Sequence, residues 1–241
     1  QPSAGWPSRH PCLPLSHVVQ EVREQGKLTM LTRRQFMRAG AALGGSGVLP
    51  KSSPASQSAA GAGYFYPDEA HPHERTFMQW PVNRQVHVDG VFLSMLQKTI
   101  AAVANTISEF EPAVMLMARE HETRARKLLG SNVEIWDVAT DDLWCRDSGP
   151  SFVINGKGGL AVTQFNFNGW GNKQAHPNDG RIAGRIAERM SLPLFDSGLV
   201  GEAGGVEADG AGTLLAHESS WINPNRDSAG RAGIERKLLE T

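Results

Sequence analysis

Cysteine is nearly absent: the 241 residues hold two, Cys12 and Cys145. That is too few for a disulfide-stapled scaffold. A basic surplus is absent too. The net charge is -1, and from Gly61 onward 17 Lys and Arg face 23 Asp and Glu, a balance of -6. Nucleic acid, which wants a basic face, is excluded as a partner, while an acidic surface suits a cationic ligand. Zinc-ligand spacing is also missing. His71 and His73 flank Pro72, His176 precedes Pro177, and none is spaced with a cysteine as a metal site would require. No metal and no cofactor is expected.

What is present starts with the N-terminal region. Thr32-Arg33-Arg34-Gln35-Phe36-Met37-Arg38 precedes a weakly apolar Gly/Ala stretch, Ala39 to Leu49. That stretch is too short to span a membrane, which takes about 20 residues. The string resembles a twin-arginine export signal, and Ser58-Ala59-Ala60 offers small residues for a signal peptidase. Met30 stands two residues before Thr32 and reads as the initiator. The expected organisation is therefore an upstream segment over 1–29, a signal and disordered linker over 30–63, and a folded domain over 64–241. Periplasmic or secreted localisation follows, with no membrane partner once the signal is removed.

With 40% hydrophobic residues, the remainder reads as a globular domain of alternating elements. Phe92, Met95, Leu96, Thr99, Val103, Ile107 and Phe110 recur at helical spacing and predict a helix over 90–110 with that face inward. Val114 to Met117 and Val133 to Val138 predict buried strands, with a helix over 120–129 between them. Ser151 to Ile154 and Leu160 to Phe167 predict a hairpin around Asn155-Gly156. Asn178 to Met190 predicts a helix, and 192–195 and 213–217 predict further strands. The final residues, Ile234 to Thr241, have apolar groups at helical spacing and no Gly or Pro stop, so the chain is expected to break off within a helix.

Chemistry concentrates in Trp144-Cys145-Arg146-Asp147-Ser148-Gly149-Pro150. Two charges and two residues that break regular structure contribute little to a core. An Asp here can hold a planar, permanently charged guanidinium through paired N–H donors; alternatively it can accept loop N–H groups or pair with Arg146. The run closely resembles the W-x-R-D-x-G-P motif of the agmatine deiminase and bacterial peptidylarginine deiminase family. Three further motifs follow that family's order. His73 to Pro81 is similar to its opening H-x-x-T-x-x-x-W-P strand, and Phe165 to Asn172 (F-N-F-N-G-W-G-N) to its aromatic and glycine segment. Glu202 to Leu215 resembles E-G-G-x-x-x-x-D-G-x-G-T-L-L, with Trp221 to Arg226 resembling the L-N-x-N-R that succeeds it.

The resemblance implies a pentein-type α/β propeller of ββαβ modules, of which roughly two and a half, about the first half, are here. It implies a hydrolase that deiminates a small-molecule guanidino substrate, with Asp147 and Glu202 as catalytic and substrate-binding carboxylates. Trp144 is expected in the pocket wall, where an aromatic face stacks on a guanidinium, while Trp80 and Trp170 default to packing. The sequence departs from the pattern at Ala203, where the family has Gly; a positive φ there would be strained. Glu207 also fits a family position, and Asp141 and Asp142 read as turn residues. Cys145 would share a face with Asp147 if the run were extended, but no histidine is placed beside it and it reads as packed. The family's H-x-D and its nucleophilic Cys lie downstream of every motif seen here, so this chain is expected to lack the His/Cys part. Agmatine, giving N-carbamoylputrescine, is the preferred substrate; peptidylarginine and a non-catalytic guanidine-binding fragment are the alternatives. A homo-oligomer of the full-length protein stays open.

Overall fold

Ala113-Val114-Met115-Leu116-Met117 carries no polar side chain, and such a run suits a strand covered on both faces. In the computed structural model, which describes residues 58–241, it is the central strand of a parallel sheet. That sheet has β1 (Thr76–Gln79), β2 (Ala113–Met117) and β3 (Glu134–Asp137) in this spatial order. Met115 and Met117 pack with Trp80, Ala104 and Val133, whereas Val114 and Leu116 pack with Trp136, Ile182 and Ile186. Helices α1 (Gly90–Ile107) and α2 (Glu122–Ala125) connect the strands, as parallel neighbours require a crossover.

The expected first helix is there, but it turns a different face inward. Leu93, Gln97, Ala101 and Ala104 are its buried residues, while Phe92, Met95, Val103 and Phe110 are exposed. The alanines leave room for the sheet. Gln97 is tolerated inside because its Nε2 donates to the Pro81 carbonyl at 2.9 Å.

After β3 the chain makes one helical turn, α3 (Cys145–Ser148), and enters a second sheet. β4 (Ser151–Ile154) and β5 (Leu160–Gln164) form the expected antiparallel hairpin, closed by Asn155, whose Oδ1 accepts from the amides of Lys157 and Gly159. A 3-10 turn at Asp179–Arg181 then opens α4 (Ile182–Arg189), which leads to β6 (Leu194–Asp196), parallel to β5. This ββαβ unit meets the sequence expectation, whereas the first sheet is an all-parallel βαβαβ run. α4 is the wedge between the sheets: Ile182 and Ile186 face the first, Ala183 and Ala187 face Val162 of the second.

A third unit has the hairpin β7 (Val206–Ala208) and β8 (Leu214–Ala216), then α5 (Glu218–Trp221) and α6 (Gly230–Leu239). Its core joins Phe165, Leu199, Val206, Trp221, Ile234 and Leu238. The twin-arginine string and Met30 lie outside the described residues. The linker expected to reach Gly63 differs at its end: Ala60–Ala62 is a 3-10 turn and Ala59 is buried against Val153 and Ala161.

Candidate functional site

Parallel strands build sites beyond their carboxyl ends, and the loop leaving β3 carries Thr140 to Asp147. It is braced by three buried carboxylates. Asp179 accepts from the amides of Asp141 and Asp142 at 2.7 and 3.1 Å, and Asp141 returns the contact by accepting from the amides of Asn178 and Asp179. Asp142 accepts from Gln174 at 3.0 Å and lies 2.7 Å from the His87 ring. Burial pushes the Asp179 carboxyl up to about 7, with the charges of Asp141 and Asp142 adding to the effect. Asp141 and Asp142, expected as turn residues, are thus turn residues sunk into the core. Ser148 completes the brace by donating to Gln79 Oε1 at 2.7 Å, and Gln79 Nε2 donates to Asp179.

On this base α3 presents Asp147. Its carboxylate is half-buried, and among the described residues none donates a hydrogen bond to it. Arg146, the partner that sequence reasoning offered, points elsewhere, to Glu69 at 2.6 Å and more distantly to Glu207 at 3.8 Å. Burial raises the Asp147 carboxyl above its usual range, while the Arg146 and Arg226 charges pull it back. The carboxylate rests on a backbone made bare for it: a Cβ at Gly204 would sit 2.3 Å from Asp147 Oδ1.

Glu202 follows β6 and is buried, not a surface residue. Burial raises its pKa; Arg226 lowers it and the Asp147 charge raises it again, so the two predicted carboxylates belong to one electrostatic unit. Arg226 Nη2 lies 2.8 Å from Glu202 Oε2, and both side chains are almost wholly buried. The contact is off the hydrogen-bond line, an ion pair in place of an aligned fork. Ala203 carries no positive φ, so the departure from Gly costs no strain, and its methyl joins the core around Trp221. Arg226 lies in the segment that resembles L-N-x-N-R, but nothing in its local sequence marks it as the partner of Glu202.

Trp144 is half exposed beside Asp147. Trp170 meets it edge-to-face at 6.3 Å and also meets Phe167 at 4.9 Å, so Trp170 belongs to the aromatic wall, whereas Trp80 is core as expected. The 166–172 loop holds Asn166, Trp170 and Asn172 at positive φ, a conformation that persists only where surroundings enforce it. Cys145 and Asp147 do not share a face by extension, because the segment is a helical turn. The Cys145 thiol packs against the Ile182 cluster, and burial pushes its pKa up to about 12. Asp147, Phe165, Asn166, Phe167 and Ala203 line a small cleft. A half-buried carboxylate, bare backbone and an aromatic wall can together receive a planar cation.

An agmatine deiminase of Stutzerimonas stutzeri is 34% identical over 186 residues, covering 74% of this chain and 50% of the relative. A Streptomyces coelicolor protein whose agmatine deiminase name is provisional is 37% identical over 163 residues, covering 67% of this chain and 48% of the relative. The solved agmatine deiminase of Enterococcus faecalis superposes with a TM-score of 0.69 at 26% identity, over 76% of this chain and 52% of that one. The chain spans about half the length of the curated relatives it matches. The family model for Porphyromonas-type peptidyl-arginine deiminase matches residues 65–241, and the chain belongs to that family.

Proposed function

We propose that this chain is the guanidinium-receiving part of a deiminase that converts agmatine and water to N-carbamoylputrescine and ammonia. The carrying observation is Asp147, a half-buried carboxylate with no donor among the described residues, set between Gly204 and an exposed tryptophan. Such a group is costly to bury alone and is satisfied by a cation that brings its own N–H donors. Trp144 supplies a face for the guanidinium plane or the alkyl chain.

In the proposed reaction a thiolate attacks the guanidinium carbon, the C–N bond breaks and ammonia leaves. Water then cleaves the resulting thiouronium, restoring the thiol and releasing the ureido product. Cys145 is not that thiolate: burial holds its thiol protonated, and no imidazole among the described residues is bonded to it. Asp147 receives and orients the guanidinium, and Glu202 supplies fixed negative charge behind it. Peptidylarginine is the second substrate to test, favoured by the matching family model and by the expected export signal at Arg33-Arg34.

Calorimetry with agmatine and with putrescine, which lacks the guanidinium, tests the reading. Agmatine should bind the chain and putrescine should not. Equal binding of both, or agmatine binding that survives Asp147→Asn unchanged, would remove Asp147 from the role.

A further inference from the structure

Glu202 already holds a guanidinium, that of Arg226. Arg226 comes from the segment before α6. Its Nη2 lies 2.8 Å from Glu202 Oε2, and its Nη1 donates to Asn168 Oδ1 at 2.8 Å. Asn168 also caps the turn of the aromatic loop. The same Oδ1 accepts from the Gly171 amide at 2.8 Å, and Asn168 Nδ2 donates to the Asn225 carbonyl at 2.8 Å. One buried side chain therefore ties the carboxylate behind Asp147 to the strained turn that presents Trp170 to Trp144.

We propose that Arg226 is a positioning residue of the site, spanning Glu202 and Asn168 so that the buried carboxylate and the aromatic wall are fixed together and Asp147 alone is left to receive a ligand guanidinium. The inference rests on Asp147 as the receiving carboxylate. A guanidinium is suited to this work because one nitrogen can hydrogen-bond Asn168 while the delocalised charge lies against Glu202, which a lysine ammonium on a flexible stem does less well. The pair also divides the labour of two adjacent acids. Glu202 is ion-paired within the chain, whereas Asp147 has no donor among the described residues.

The test uses Arg226→Gln and Arg226→Lys in the 241-residue chain, with three readouts. The first is the titration of the Glu202 carboxyl carbon by NMR; the charged groups facing it are Arg226 and Asp147. The second is the near-ultraviolet circular dichroism of the tryptophans, which reports the packing of Trp144 on Trp170. The third is agmatine affinity by calorimetry. Arg226→Gln should move the Glu202 midpoint upward, weaken the tryptophan signal and weaken agmatine binding several-fold. Arg226→Lys should restore the midpoint but not the tryptophan signal or the affinity. An unmoved midpoint and signal in the Gln variant, or full recovery of all three in the Lys variant, would overturn the proposal. Should the Gln variant not fold, Glu202→Gln, which breaks the same tie from the other side, should give the same loss of tryptophan signal, and an unchanged signal there overturns it. If the parent chain binds no agmatine, the receiving role of Asp147 fails, while the first two readouts still decide the role of Arg226.

Discussion

A carboxylate drawn half out of water with no donor aimed at it works against folding, and among the described residues none donates to Asp147. Its pKa is raised chiefly by burial, so the charged form is the disfavoured one in the fold. Asp147→Asn should therefore leave the melting temperature unchanged or slightly higher while agmatine binding falls. A charge-assisted hydrogen bond contributes about 1.5–3 kcal/mol, which corresponds to roughly a tenfold to hundredfold loss of affinity. Calorimetry and thermal melting on one preparation check this, and a destabilised variant with normal binding would show that Asp147 caps the loop. Cys145, two residues away, gives a second test. With its thiol pushed up to about 12, only about one part in ten thousand is thiolate at pH 8. Iodoacetamide should label it slowly in the native chain and quickly after unfolding, and fast native labelling would reopen its candidacy as a nucleophile.

At the scale of the element, Gly201 to Gly205 shows how one short segment serves core and site separately. A Cβ at Gly201 would meet the Trp221 ring at 2.4 Å, and one at Gly204 would meet Asp147 Oδ1 at 2.3 Å. Gly201→Ala should thus cost stability, on the order of the 1–3 kcal/mol typical of overpacking, with binding preserved in the protein that folds. Gly204→Ala should displace Asp147 and lose agmatine binding with a smaller stability change; the same pair of measurements separates them, and equal stability losses with binding retained in both would defeat the distinction. Elements of this kind were only partly legible in the sequence. The apolar run of β2 and the Asn155-Gly156 turn announce themselves because local chemistry decides them. The inward face of α1 differs from the one its periodicity predicts because alanine and a hydrogen-bonded glutamine meet the sheet in place of the larger apolar groups. The turn α3 and the short strand β7 depend on tertiary contacts such as Ser148 with Gln79, which no periodicity records. Asp147, Glu202 and Trp144 were legible through motif order, whereas Arg226 carried no local sign of being buried against Glu202.

For the molecule as a whole, the buried acids make stability depend on pH in a direction opposite to that of ordinary carboxylates. Asp179 is pushed up to about 7, first by burial and then by the charges of Asp141 and Asp142, against the pull of two backbone amides. Asp147 and Glu202 are raised as well. A group whose pKa is higher folded than unfolded binds more protons when folded, so its contribution is full below its unfolded pKa, about 3.9 for Asp. That contribution is lost as pH rises through the folded value. Asp209 and Asp227 are lowered by their hydrogen-bond donors, Thr213 and Lys237 respectively, and act the other way, losing their contribution as pH falls below the ordinary carboxylate range. The melting temperature should therefore be highest near pH 4 and decline from about pH 4 to about 7, levelling off above that. Asp179→Asn should flatten that decline and leave the acid fall intact. Its melting temperature should be lower throughout, because the amide nitrogen cannot accept from the Asp142 amide that Asp179 Oδ2 now meets at 3.1 Å. A parent chain whose melting temperature is flat or rising between about pH 4 and 7 would show that the two loop amides and Gln79 hold Asp179 ionised in spite of its burial.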